Sequence, residues 1–257
     1  MVSVLKDSFA KEGGHYYKPD GTPAYTITGA NGKERNTTLR DARKLGLLPS
    51  VTTILKMAAA PGLERWKIGN AILSALTLPR SEGESDESYI DRIVRDSEEQ
   101  ARKARDKGTA IHGSVEKLFR YGRLDIDDPH ADFAVAARKV ITEWAGEIEW
   151  EAERSFASEL GYGGKLDLMA RIGYGWLADV KTTDKPLEGL KTWPEHRRQL
   201  AAYGRGTGLV RAPAAIVYVN TIRPEARLIE LDQEELEQGW HEFQALLALW
   251  KAANKVN

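Results

Sequence analysis

The chain has 257 residues, no cysteine, a formal net charge of −1 and an ordinary share of apolar and charged residues. That length suits one large domain or a core with a smaller addition. The missing thiols exclude disulfides, thiolate zinc sites and thiolate-held iron–sulfur clusters, and no apolar run reaches the roughly 20 residues of a membrane span.

The opening MVSVLKDSFAKEGG lacks the long apolar stretch of a secretory leader, so a cytoplasmic protein is expected. YYKPDGTPAYTITGANGKERNTT carries Asp-Gly and Asn-Gly turn signals between short β-prone runs, which predicts a small hairpin. TLRDARKLG predicts a short helix stopped by glycine. LPSVTTILKMAAAPG predicts another, capped by Ser50 or Thr52 and stopped at Pro61-Gly62. LERWKIGNAILSAL continues as an amphipathic helix, and TLPRSEGESDES is a polar linker. From Tyr89 to about Tyr121 the pattern is strongly helical, with Glu98 and Glu99 four residues before Arg102 and Lys103. GRLDIDDPH breaks the run, and ADFAVAARKVITEWAGE is a further helix.

The period then changes to alternation. EIEWEAERSFAS, GGKLDLMARI and GWLADVKTT are three strands with short connections, so an antiparallel meander is expected. WPEHRRQLAAYGRGTG is a helix ended by glycine, and AAIVYVN is an apolar strand of the kind buried on both faces. DQEELEQGWHEFQALLALWKAANK closes the chain as a helix with Leu236, Trp240, Phe243, Leu247 and Trp250 on one stripe. The expected fold is α/β: a mixed sheet with a three-strand meander flanked by helices. Residues 1–47 read as an appendage with the hairpin. Residues 48–257 read as the main domain, helical over 48–145 and αβ over 146–257.

Two carboxylates stand inside the meander where a sheet favours apolar residues. Side chains alternate along a strand, so Asp179 and Lys181 share one face of LADVKTT, and Lys165, Asp167 and Met169 share one face of GGKLDLM. Pairing through the short GYG turn brings Asp167 and Asp179 to the same side of neighbouring strands. Their repulsion needs an offset, and hard oxygen ligands suit Mg²⁺ or Mn²⁺. That set fits metal-assisted phosphodiester hydrolysis, with Lys181 orienting water or stabilising the transition state. An ion pair between exposed strand positions accounts for the same residues without a metal.

Other residues extend the set. In KGTAIHGSVEKLF, Ile111, Val115, Leu118 and Phe119 form a buried stripe, with His112 and Glu116 four apart at its border. His112 is either a third metal ligand or a structural histidine, and Glu116 a further acid beside it. In HRRQLAAYG, Gln199 and Tyr203 share a helix face, either fixing a phosphate or the lysine, or forming a polar edge. Glu153 in WEAERSFAS either joins the carboxylates or is a surface acid.

The ordered set GGKLD…ADVK…QLAAY, with a helical histidine before it, resembles the PD-(D/E)xK nuclease superfamily. The nearest branch is that of the RecB-like exonucleases, which includes the CRISPR-associated and mitochondrial genome-maintenance exonucleases. The upstream SVTTIL…PGLERW is similar to phage-type members, and the resemblance spans roughly Leu48 to Asn220. It implies a restriction-endonuclease-like core over 48–257. It also implies a metal-dependent DNA exonuclease of phage or bacterial recombination or repair, working in the host cytoplasm if phage-encoded. His112, Asp167, Asp179 and the carbonyl of Val180 would bind Mg²⁺ or Mn²⁺. Lys181 would position the water, and Gln199 and Tyr203 would steady Lys181 or hold the DNA backbone. Lys165, Arg197 and Arg198 are candidates for phosphate contact, with strand and helix phase favouring Lys165. Alternatives on the same fold are a structure-specific endonuclease and an inactive DNA-binding or assembly factor. The cysteines of cluster-bearing relatives are absent, and Leu166 stands where the superfamily's name puts proline. DNA is the expected partner, single-stranded or at duplex ends. The first 47 residues lie outside the resemblance; their many turn residues and small core give a separate alternative, a docking role for a single-strand annealing or binding protein, with Tyr16, Tyr17 and Tyr25 either stacking on bases or forming the hairpin core.

Overall fold

Five strands build one mixed sheet, and the sequence period explains each of them. The computed structural model describes residues 14–59 and 61–256. It starts with β1 (Tyr16–Tyr17), β2 (Thr26–Thr28), β3 (Glu34–Asn36), α1 (Leu39–Leu45), β4 (Leu48–Pro49) and α2 (Val51–Leu55). Next come α3 (Pro61–Thr77), α4 (Asp86–Tyr121) and α5 (Ala131–Ala145). The remainder is β5 (Glu151–Ser158), β6 (Tyr162–Ala170), β7 (Trp176–Thr183), α6 (Pro194–Thr207), β8 (Ala214–Asn220), β9 (Ala226–Leu231) and α7 (Gln233–Asn254).

The sheet runs β5-β6-β7-β8-β9. The meander is antiparallel as expected, β7 and β8 are parallel, and β8 and β9 are antiparallel. A parallel neighbour needs a crossover, and α6 supplies it. Every residue of β8 is buried, as its unbroken apolar run requires.

Two buried clusters cover the sheet. One joins Leu177, Ile216 and Leu231 to Leu200 of α6 and to Trp240, Phe243, Leu247 and Trp250 of α7. The other joins Leu168, Ala178, Val180, Val217 and Val219 to Ile111, Val115 and Leu118 of α4 and to α5. Helix α7 starts at a reciprocal capping box: Glu235 N donates to Asp232 Oδ1 at 2.7 Å, and Asp232 N to Glu235 Oε2 at 3.1 Å.

The structure corrects four expectations. The hairpin forms as β2 and β3, but residues 14–47 are not an appendage: Tyr16, Ala24, Ala42 and Leu47 lie in the cluster beneath α6 and α7, and β1 pairs with β4. Tyr16 and Tyr17 are buried, so neither presents a ring for stacking. Pro61 opens α3 rather than closing α2, because proline lacks an N–H that the first helical turn leaves unused. Helix α3 is not cleanly amphipathic: Leu63, Trp66, Ile68, Ile72, Leu73 and Leu76 are all exposed. Strand β9 was not expected. Its signal is the Asn220 turn, whose Oδ1 accepts from Ile222 N at 2.8 Å and Arg223 N at 3.0 Å, followed by the half-buried ARLIEL. Among the described residues no helix is long and apolar enough to cross a membrane.

Candidate active site

The β6–β7 ladder pairs Ala170 with Trp176 through to Leu168 with Ala178, and then stops. One step further, the register sets Asp167 opposite Asp179. Here a carboxylate replaces the next backbone partner: Val180 N donates to Asp167 Oδ2 at 2.8 Å. The other neighbour lapses at the same level. Ala152 pairs with Leu168 and Arg154 with Leu166, but Glu153 between them takes a left-handed φ of 57° and pairs with nothing in the ladder. Strand β6 coils at this point, for Leu168 joins the cluster beneath α4 while Leu166 joins the one beneath α6. Strict alternation would have put both leucines on one side.

Asp179 is 1% exposed. Its Oδ1 accepts from Gln199 Nε2 at 3.0 Å. Its Oδ2 lies 2.6 Å from Lys181 Nζ as an ion pair, but off the hydrogen-bond direction, so this buried oxygen takes no aligned donor. Lys181 Nζ also donates to Gln199 Oε1 at 3.1 Å, and Gln199 Nε2 reaches Tyr203 Oη at 2.9 Å. Tyr203 is buried and packs edge-on against Phe156. The helical spacing of four makes this possible: Gln199 and Tyr203 rise one above the other on the face of α6 turned to β7.

His112 enters from α4. Its Nε2 lies 3.0 Å from Asp167 Oδ2. One turn before it, Gly108 packs on β7 so closely that a Cβ there would run into Thr182 Oγ1. The missing side chain lets α4 approach the strand and bring His112 to the carboxylate. Sequence reasoning passed over Gly108; its signal was the glycine four residues before the histidine.

Electrostatics follow from burial. Burial pushes the Asp179 carboxyl up to about 6, with Lys181 pulling down and Asp167 pushing up. For Asp167, burial also disfavours charge, but the His112 contact and Lys181 outweigh it and hold the group below the usual carboxylate range. Burial opposes charge on His112 and on Lys181 too, yet the facing aspartates raise both. The cluster therefore sets Lys181 and the His112 ring against two acids.

The donor set fits a hard divalent cation. Asp179 Oδ2 is buried without an aligned donor, and Asp167 uses only Oδ2 for its two contacts. The Val180 carbonyl leaves an extended strand on the edge from which its N–H meets Asp167. A second donor group adjoins: ligand atoms of His112, Glu116 and Glu153 lie within 4.8 Å of one another. Glu116 is paired with Arg120 at 2.8 Å, and Glu153 forms an ion pair with Lys165. His112 belongs to both groups. The chain has no cysteine to hold an iron–sulfur cluster.

The three cations expected to meet phosphate all have carboxylate partners. Lys165 is tied to Glu153, and Arg197 and Arg198 both reach Glu242 of α7, at 2.5 and 2.6 Å. Arg198 nonetheless lines a cleft of about 680 Å³ with Lys181, Gln199, Glu195 and Lys56, although helix phase had pointed it elsewhere. A second cleft of about 630 Å³ is lined by Glu153, Arg120, Trp150 and Arg154.

No family model matches this chain, and no curated protein matches it. Among solved structures it is similar to the crystal structure of SSO0001, at 18% identity over 53% of this chain and 72% of that one, with a TM-score of 0.26. A likeness at that level carries no argument about fold or function.

Proposed function

We propose that this chain is a metal-dependent deoxyribonuclease of the PD-(D/E)xK type, an exonuclease of the RecB-like branch acting in phage or bacterial DNA recombination or repair. One observation carries the reading. His112, Asp167, Asp179, Lys181, Gln199 and Tyr203, far apart in the chain, form one connected polar cluster at a cleft, and its innermost oxygen, Asp179 Oδ2, has no aligned donor. That oxygen lies 2.6 Å from Lys181 Nζ, so its charge is offset while its lone pairs stay open to a further ligand.

A divalent cation held by Asp167, Asp179, His112 and the Val180 carbonyl would supply Lewis-acid polarisation and a more acidic water. The chain's own residues do the rest. Gln199 bonds to both Asp179 and Lys181, which ties the lysine to the carboxylate. Lys181 presents an ammonium group to the cleft, where it orients water or neutralises charge building on the phosphate. Lys181, which can only donate, and the Asp179 carboxylate, which accepts, fix the flip of the Gln199 amide, and Tyr203 Oη accepts from the same Nε2.

End-labelled linear and circular DNA, digested in Mg²⁺, Mn²⁺ or EDTA, tests the reading. The expected result is metal-dependent loss of linear DNA, circles spared, and no activity in Asp179→Asn or Lys181→Ala. Cut circles would make the enzyme an endonuclease. No cleavage in any metal, with DNA still bound, would leave a binding or assembly factor.

A further inference from the structure

Helix α3 is built inside out. The face it turns to α4 is small and polar. Ser74 is fully buried there and donates from Oγ to Asp96 Oδ2 at 2.8 Å, and the carbonyls of Ala75 and Leu78 accept from Tyr89 Oη at 3.0 and 2.9 Å. The opposite face is apolar and open: Trp66, Ile68, Ile72, Leu73 and Leu76 are 45% to 79% exposed. A surface helix ordinarily turns its apolar stripe to the core, yet α3 makes its extensive packing contacts with α4 alone. Gly62, Gly69 and Leu76 are spaced by seven, so they run in one line down the middle of the open face. A Cβ added at either glycine would meet nothing within 4 Å. Neither glycine therefore serves packing inside the chain, and Gly69 in mid-helix weakens α3 relative to alanine.

We propose that a second copy of this chain covers this face, the two α3 helices lying antiparallel across a two-fold axis at Gly69. Residues equally far from Gly69 then meet. Leu76 of one copy enters the notch left at Gly62 of the other, and Ile72 meets Trp66. Each contact occurs twice, as an isologous interface requires. The glycines let the helix axes come closer than the usual 8–10 Å or so, and Leu76, the most exposed apolar side chain of the helix, fills the space that a missing side chain leaves. Size agrees. The five side chains leave on the order of 600 Å² open on each copy, so a pair buries on the order of 1,200 Å², which reaches the range of specific interfaces. Charge agrees as well. Glu64 and Lys67 pair with each other at 3.3 Å away from the open face, which leaves Arg65 as the one charge of α3 upon it. A nucleic acid would need several cations there.

The test is sedimentation equilibrium of the full chain from about 1 to 100 μM. Wild type is expected at twice the mass of one chain. Leu76→Glu is expected to weaken the association at least tenfold with helix content unchanged, because the side chain it replaces is exposed. Gly62→Leu fills the notch and should weaken the association likewise, although the space around Gly62 is open within one copy. Cross-linking reads the register, and a chain without cysteine makes it specific. Gly62→Cys and Leu76→Cys together in one chain should oxidise to a covalent dimer, and each alone should do so far more slowly. Wild type at the mass of a single chain throughout would overturn the proposal and give the open face to a partner of another kind. A dimer unmoved by Leu76→Glu would overturn it too, as would a double variant that cross-links no faster than the single ones.

Discussion

Gln199 donates from Nε2 to Asp179 Oδ1 at 3.0 Å while its Oε1 accepts from Lys181 Nζ at 3.1 Å. One neutral amide thus holds the acid and the base of the site in fixed relation. Removing it as Gln199→Ala leaves a buried carboxylate oxygen without its donor, which costs about 1–3 kcal/mol. The expected result is a lower Tm and a kcat reduced about a hundredfold, with KM for DNA changed much less. A variant with normal kcat would show that Lys181 needs no such support.

The pH dependence of metal binding follows from Asp179 and His112. Burial raises Asp179 to about 6, and the facing aspartates raise His112. Both must lose a proton to ligate a cation. Affinity for Mn²⁺, measured by titration calorimetry, should therefore climb from pH 5 to pH 7 and release protons. Asp179→Asn should flatten the lower part of that climb.

Metal-free stability moves the other way for the same group. Asp179 has a folded pKa above its unfolded one, so its contribution is fully present below about 4 and is lost as pH rises through about 6. Asp167 is lowered and has the opposite sign, favouring the fold above the usual carboxylate range. The difference in Tm between Asp179→Asn and wild type isolates the first effect: the variant should gain most at pH 7 and least at pH 4. A difference that does not vary with pH would refute the assignment.

Gly108→Ala sets two magnitudes against each other. Alanine within a helix gains about 0.8–1 kcal/mol over glycine, but here the new methyl meets Thr182 Oγ1, and overpacking costs about 1–3 kcal/mol. The clash should win. Thermal unfolding should show a net loss, and Mn²⁺ affinity should fall as His112 is carried away from Asp167. Thr182→Ala in the same chain should recover much of both.

Glu153→Gly should separate stability from chemistry. The left-handed backbone at Glu153 costs on the order of 1 kcal/mol for a residue with a side chain, and glycine removes that cost. Losing the carboxylate also breaks the ion pair with Lys165 and the donor group shared with His112 and Glu116. Tm should hold or rise while Mn²⁺ affinity falls. A fall in Tm alone would make Glu153 a structural acid.

Much of this was legible because period and spacing are local properties. The meander, the buried β8, the α7 stripe and the i, i+4 pairs on α4 and α6 follow from residue order alone. What escaped depends on contacts across the chain. Tyr16 and Leu47 look like parts of a separate hairpin region until the cluster beneath α6 and α7 closes over them. Arg198 points away from the cleft by helix phase, and only the seating of α6 against α2 brings it to the lining. The coil of β6 at Asp167 has no signature in GGKLDLM, because it arises where both neighbouring ladders lapse at one level.

Glu242 grips Arg197 and Arg198 together, and Gly239, one turn earlier on α7, lets that helix lie against the Arg197 carbonyl. The residue after this clamp is Gln199. The last helix of the chain therefore works as an indexing pin: it fixes how far α6 is rotated about its own axis, and so where the Gln199 amide points. Damage to a half-buried glutamate far along the sequence from either aspartate would be felt as a misaimed lysine.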